Sequence, residues 1–166
     1  MNTKERGKPR TAPSDNSIES LGSGGAGEFL MERVDVYPNG IAFDAQGRLY
    51  WTESMSQRVC RLDDGAPTIF CQLPETHVPD GMAIAADGRL FVCTTTSGGL
   101  TVLSPEGELL EEITIGNNAT NCIFDGPTLY VTSTKVADLG FGQTTGKFWS
   151  VETDATGGLP LIPGKL

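Results

Sequence analysis

The chain has 166 residues, a formal charge of −9, 21 glycines and 10 prolines. The acidic balance argues against a nucleic-acid partner, which needs a surplus of Lys and Arg to meet phosphates. No run is apolar and long enough to span a membrane as a helix, so no membrane partner is expected.

Residues 1–27 differ from the remainder of the chain. Lys4, Arg6, Lys8 and Arg10 give way to polar residues and then to Gly22-Ser23-Gly24-Gly25-Ala26-Gly27. Such a segment buries too little surface to offset its ordering entropy, and it reads as a disordered or irregular lead. It has neither the apolar core nor the cleavage site of a secretory signal, which points to the cytoplasm. Order is expected from residue 28 to residue 166. Phe29-Leu30-Met31-Glu32-Arg33 reads as a first strand, the outermost of a preceding blade.

Pro38-Asn39-Gly40-Ile41-Ala42-Phe43-Asp44-Ala45-Gln46-Gly47-Arg48-Leu49-Tyr50-Trp51-Thr52 then opens a repeat. It returns 41 positions on as Pro79-Asp80-Gly81-Met82-Ala83-Ile84-Ala85-Ala86-Asp87-Gly88-Arg89-Leu90-Phe91-Val92-Cys93. A weaker third copy is Thr120-Asn121-Cys122-Ile123-Phe124-Asp125-Gly126, followed by Leu129-Tyr130-Val131-Thr132-Ser133. A period near 40 residues built of short strands and glycine turns marks a β-propeller. The fold class is therefore all-β and propeller-type, with about three four-stranded blades.

The first blade takes strands at 41–43, 49–53, 57–62 and 68–73. The second takes 82–84, 90–93, 100–103 and 109–115. The third takes 122–124, 129–132, 147–151 and 159–162, with a long loop from Ser133 to Gly146. Three blades make an arc, and a propeller removes its open edges by closing. A second copy forming a homodimer is one way to complete the ring; an open arc or a longer protein are others.

Asn39, Asp80 and Thr120 stand just before the innermost strands, which line a propeller's channel. An amide, a carboxylate and a hydroxyl at one mouth are the hard oxygen donors that Ca²⁺ prefers. The same residues also make ordinary turns. His77 has no nucleophile motif beside it and reads as a loop or interface residue. Tyr50, Trp51, Tyr130 and Trp149 read as packing between blades. Glu106, Glu108, Glu111 and Glu112 read as a solvated strand edge. Cys60, Cys71, Cys93 and Cys122 form no CxxC pair and read as buried strand thiols, reduced in a cytoplasmic protein; Cys60 and Cys71 fall on neighbouring strands and could meet.

The two Pro-x-Gly repeats, Gly98-Gly99-Leu100-Thr101-Val102, the Ala119–Ser133 copy and the ending Gly157-Gly158-Leu159-Pro160-Leu161 together resemble the SMP-30/gluconolactonase family. The match spans about residues 28–166 and corresponds to the C-terminal half of that family's domain. The resemblance implies a six-bladed propeller, of which this would be half, with a divalent cation in its channel. It implies a hydrolase of small-molecule lactones. It maps metal ligands onto Asn39 and Asp80 and an acid/base role onto Asp80, with Ca²⁺ expected and Zn²⁺ or Mn²⁺ as alternatives. The family's first-blade Glu ligand has no counterpart, and neither do a further Asn and an Arg; Glu28 and Glu32 stand in no matching motif. A non-catalytic propeller segment acting as a binding scaffold is the competing expectation.

Overall fold

A computed structural model describes residues 31–32, 35–116, 118–136 and 144–160. The lead at 1–27 lies outside the described residues. So does most of the expected strand at 29–33, whose described members, Met31 and Glu32, belong to no strand. The strands all belong to the unit Asp35–Leu166.

Among the described residues eleven strands run β1 (Pro38–Phe43), β2 (Leu49–Glu53), β3 (Arg58–Asp63), β4 (Ala66–Gln72), β5 (Pro79–Ile84), β6 (Leu90–Thr94), β7 (Gly99–Leu103), β8 (Leu109–Thr114), β9 (Asn118–Asp125), β10 (Thr128–Val136) and β11 (Thr144–Glu152). They form three antiparallel meanders: β1-β2-β3-β4, β5-β6-β7-β8 and β9-β10-β11. The innermost strands are neighbours in space, β1 against β5 and β5 against β9. This is the blade order of a propeller.

Period-two alternation decides the packing. On β6, Leu90 and Val92 face the first blade while Phe91 and Cys93 face the third. The core between blades one and two holds Tyr50, Val59, Met82, Ile84, Leu90, Val92 and Leu103. The core between blades two and three holds Phe91, Cys93, Leu100, Val102, Cys122, Leu129 and Val131. Blade two is thus covered on both faces, and β6 and β7 are buried throughout. The outermost strands β4 and β8 are mostly exposed.

Three details differ from the sequence expectation. The inner strands start earlier than expected, at Pro38, Pro79 and Asn118 rather than 41, 82 and 122. In each blade the ladder runs across a bulge: Pro38 pairs Glu53 and Ile41 pairs Trp51, Pro79 pairs Thr94 and Met82 pairs Val92, Ala119 pairs Ser133 and Asn121 pairs Thr132. The Asn-Gly and Asp-Gly pairs read as turns are therefore bulges within strands. Blade three also has three strands among the described residues. Gly158, expected to lead into its fourth strand, bridges instead to Ala85 of blade two, and Leu159 packs on the first core. Residues 161–162 lie outside the described residues. Third, Cys71 stands opposite Val59 and Cys60 opposite Ile69, so the two cysteines do not face each other across the β3–β4 ladder. All four cysteines are thiols.

Candidate metal centre at the mouth of the inner strands

The three bulges carry Asn39, Asp80 and Thr120 at one end of the inner strands. The first two are braced from the neighbouring strand. The buried Thr52 hydroxyl of β2 accepts the Gly40 N–H at 2.7 Å and donates to the Asp80 carbonyl at 2.7 Å. One side chain thereby fixes the bulge of its own blade and the bulge of the next. Ser54 repeats the device one step outward, donating to the Pro79 carbonyl at 2.6 Å.

Glycine is required at the centre of this contact. A Cβ on Gly40 would lie 2.4 Å from the Asp80 carbonyl oxygen and 2.9 Å from the Gly81 Cα. A Cβ on Gly81 would lie 2.4 Å from the Asn121 Oδ1 and 2.8 Å from the Thr120 carbonyl oxygen. The absent side chains let the backbones of successive blades close to contact. That approach sets the spacing between the polar side chains at the mouth.

Asn39 and Asp80 are brought together. The Asn39 amide lies near enough to the Asp80 carboxylate to favour its charged form and makes a long contact, 3.5 Å, with the Ser54 Oγ. Burial raises the Asp80 carboxyl above the usual carboxylate range; the Gly81 N–H and the Asn39 amide pull it part of the way back. Asn39 is exposed and Asp80 half-buried, so the pair opens toward solvent on one side. Thr120 does not join them. Its hydroxyl lies 2.9 Å from the Thr132 Oγ1 and donates to the Thr132 carbonyl at 3.2 Å, which turns it onto β10.

The pair suits a hard cation in kind: one carboxylate and one amide oxygen at adjacent bulges. It is not a full shell. Among the described residues no three His, Cys, Asp or Glu side chains gather as a metal site, and Ca²⁺ takes six to eight oxygens. Asn39 and Asp80 fit as two ligands of an ion otherwise held by water, substrate or further groups.

The remaining candidates are structural. His77 is buried, with Nε2 at 3.0 Å from Glu112 Oε1 and Nδ1 at 3.0 Å from Thr76 Oγ1. Glu106, Glu108, Glu111 and Glu112 are exposed along the second blade's outer edge, as expected of a solvated edge, and Glu112 also meets His77. Tyr50 is core, meeting Phe70 edge to face at 5.1 Å. Trp149 donates to Ser133 at 2.8 Å. Cys93, fully buried beside Cys122, has its thiol pushed far up by that partner and by burial, which makes it inert as a nucleophile.

Sequence reasoning missed Thr52, Ser54 and Glu53. The Glu53 carboxylate is fully buried, receiving Arg58 Nε at 2.5 Å and Trp51 Nε1 at 3.1 Å. All three look like ordinary strand residues. The available signal is a hydroxyl or carboxylate at inward positions of a strand that alternation predicts to be apolar.

An open set of propeller blades with paired oxygen donors on adjacent bulges defines the class of protein. The family of the SMP-30/gluconolactonase/LRE-like region matches residues 9–135, and the chain belongs to that family. Regucalcin of Xenopus laevis is 29% identical over 117 residues, covering 62% of this chain and 39% of its own. The cell growth-regulated gene 1 protein of Candida albicans is 24% identical over 111 residues, covering 58% and 33%. An X-ray structure of a protein provisionally named a gluconolactonase superposes with a TM-score of 0.58 at 27% identity, covering 77% of this chain and 42% of that one. A luciferin-regenerating enzyme superposes with a TM-score of 0.63 at 22% identity, covering 78% and 49%. This chain spans between a third and two fifths of the length of the curated relatives it matches. No helix among the described residues is long and apolar enough to cross a membrane.

Proposed function

We propose that the chain is a metal-dependent lactone hydrolase of the gluconolactonase type, with its reaction centre at Asn39 and Asp80. The observation that supports this most is their convergence: residues 41 positions apart stand at neighbouring bulges because Gly40 lets its strand close onto the Asp80–Gly81 backbone. Family membership supplies the reaction class.

Each residue has a distinct task. Asn39 and Asp80 would hold a divalent cation, with Ca²⁺ favoured by the all-oxygen donors. Such an ion, when bound, would supply Lewis acidity toward the lactone carbonyl. Asp80 accepts the proton of the attacking water and returns it to the ring oxygen as the C–O bond breaks. The Asn39 amide orients that carboxylate. Thr52 and Ser54 hold the Asp80 and Pro79 carbonyls and keep the bulge from shifting. Thiol cysteines support a reducing, cytoplasmic location.

A specific observation favours the scaffold reading as a second. One carboxylate and one amide are a thin ligand set, and the same arc with no bound ion is a binding surface only. Calorimetric titration with Ca²⁺, Mn²⁺ and Zn²⁺ separates the two. The hydrolase reading expects saturable binding of one ion that Asp80→Asn abolishes. Binding that is absent, or unchanged in Asp80→Asn, leaves the scaffold.

A further inference from the structure

Blade three departs from the repeat at one position beside the proposed reaction centre. Asn39-Gly40-Ile41 of blade one and Asp80-Gly81-Met82 of blade two become Thr120-Asn121-Cys122. An asparagine thus stands where the other two blades carry glycine. Asn121 lies on β9 at the third bulge, paired with Thr132 across the ladder, and its carbonyl accepts the Thr132 hydroxyl at 3.3 Å.

The Asn121 side chain turns toward blade two. A Cβ on Gly81 would meet the Asn121 Oδ1 at 2.4 Å and its Cγ at 2.8 Å. The carboxamide therefore rests against the residue that follows Asp80, in the space that glycine leaves open. Its two ends are used differently. A backbone N–H can only donate, so the Cys122 N–H, 2.9 Å away, fixes which end is Oδ1. The other end, Nδ2, has no hydrogen-bond partner among the described residues, and Asn121 is exposed.

A purely structural role would need the acceptor alone, which an Asp or Ser side chain also offers a nearby backbone N–H. What the amide adds is a pair of uncharged N–H donors. Donors of this kind cannot ligate a cation, so they suit an oxygen of the molecule that the site receives. We propose that Asn121 binds substrate, donating from Nδ2 to a hydroxyl oxygen on the carbon next to the lactone carbonyl, and so selects α-hydroxy lactones. This rests on the lactone-hydrolase reading of Asn39 and Asp80. A substituent on that carbon stays close to the reacting carbonyl whatever the rest of the lactone is, and Asn121 is the side chain that the third bulge lays against Gly81.

The test compares α-hydroxy-γ-butyrolactone with γ-butyrolactone on the full chain in saturating Ca²⁺, for wild type, Asn121→Asp and Asn121→Gly. The aspartate keeps an acceptor for the Cys122 N–H and loses the donor; the glycine restores the residue of the other two blades. The ratio of kcat/KM for the two lactones cancels what either substitution does equally to both reactions. Wild type is expected to favour the α-hydroxy lactone ~10-fold, the reach of one neutral hydrogen bond, and to do so through KM. Both variants should bring the ratio to about one, with circular dichroism spectra that match wild type. A ratio that survives both substitutions, or a wild-type chain without the preference, would overturn the role of Asn121 and leave the hydrolase reading standing. An equal fall in kcat on both lactones would overturn it too, because the donor would then serve the carbonyl. A folded wild-type chain that hydrolyses neither lactone overturns the hydrolase reading together with this one.

Discussion

Replacing Gly40 by alanine probes the contact on which the site depends. The new methyl group would sit 2.4 Å from the Asp80 carbonyl oxygen. Real Cβ contacts stay beyond 3.0 Å, so β1 and β5 must part by at least about 0.6 Å against a packed core. Neither obstacle is the end of a flexible side chain; both nearest groups are backbone. Overpacking of this kind costs about 2 kcal/mol. That lowers the melting temperature by roughly 4–8 °C for a chain of this size. The displacement also falls on the residue proposed to hold the ion and take the proton, so lactone turnover should drop ~100-fold. Gly47→Ala is the control. It has a φ of 77° and nothing within 4 Å of its Cβ, so it should lose about 1 kcal/mol from backbone strain and no turnover. Urea unfolding followed by fluorescence measures the stability of both. A Gly40→Ala chain with the wild-type midpoint would refute the idea that glycine sets the approach of the blades.

Other outcomes follow from named contacts. Thr52→Val removes the acceptor of the Gly40 N–H and the donor to the Asp80 carbonyl, so a loss of about 3 kcal/mol is expected; Thr52→Ser should keep most of the stability, and urea midpoints compare the two. Glu53→Gln strips a fully buried carboxylate from Arg58 and should cost about 3 kcal/mol, read the same way. For Asp80 the sign runs against the usual carboxylate. Its pKa is raised in the folded chain, so burial of the charge costs nothing below the unfolded value, and stability falls as pH climbs from there through the raised one. Asp80→Asn should therefore melt higher than wild type at neutral pH, with the gain vanishing as pH drops below the ordinary Asp range; a gain that persists in acid would contradict the cause assigned. Saturating Ca²⁺ should raise the wild-type melting temperature and leave Asp80→Asn unmoved.

The blades are legible in the sequence because glycine turns and period-two patterning repeat: the pattern bounds β2 to the residue, and β3, β6, β7 and β8 to within a residue at either end. The inner strands read short because Asn-Gly and Asp-Gly have the same local chemistry in a turn and in a bulge. Only the cross-strand partners, Pro38 with Glu53 and Pro79 with Thr94, distinguish them. Equivalence by repeat places Asn39 beside Asp80 but misjudges Thr120, whose hydroxyl finds Thr132 across the ladder. The return of Gly158 to Ala85 of blade two is invisible in the sequence, since a single bridge leaves no periodicity. Thr52 escapes notice for a related reason: a strand hydroxyl shows its role only once a neighbouring carbonyl arrives.

The most direct test of the proposed reaction centre is hydrolysis of a panel of sugar-acid lactones by the purified chain. It is run with Ca²⁺, Zn²⁺, Mn²⁺ or chelator, beside Asp80→Ala and Asn39→Ala. Turnover is predicted to need a cation, to disappear in Asp80→Ala and to be strongly reduced in Asn39→Ala. Turnover indifferent to chelator or to Asp80, or none above the uncatalysed rate from a folded chain, would contradict a metal-assisted centre at these two residues.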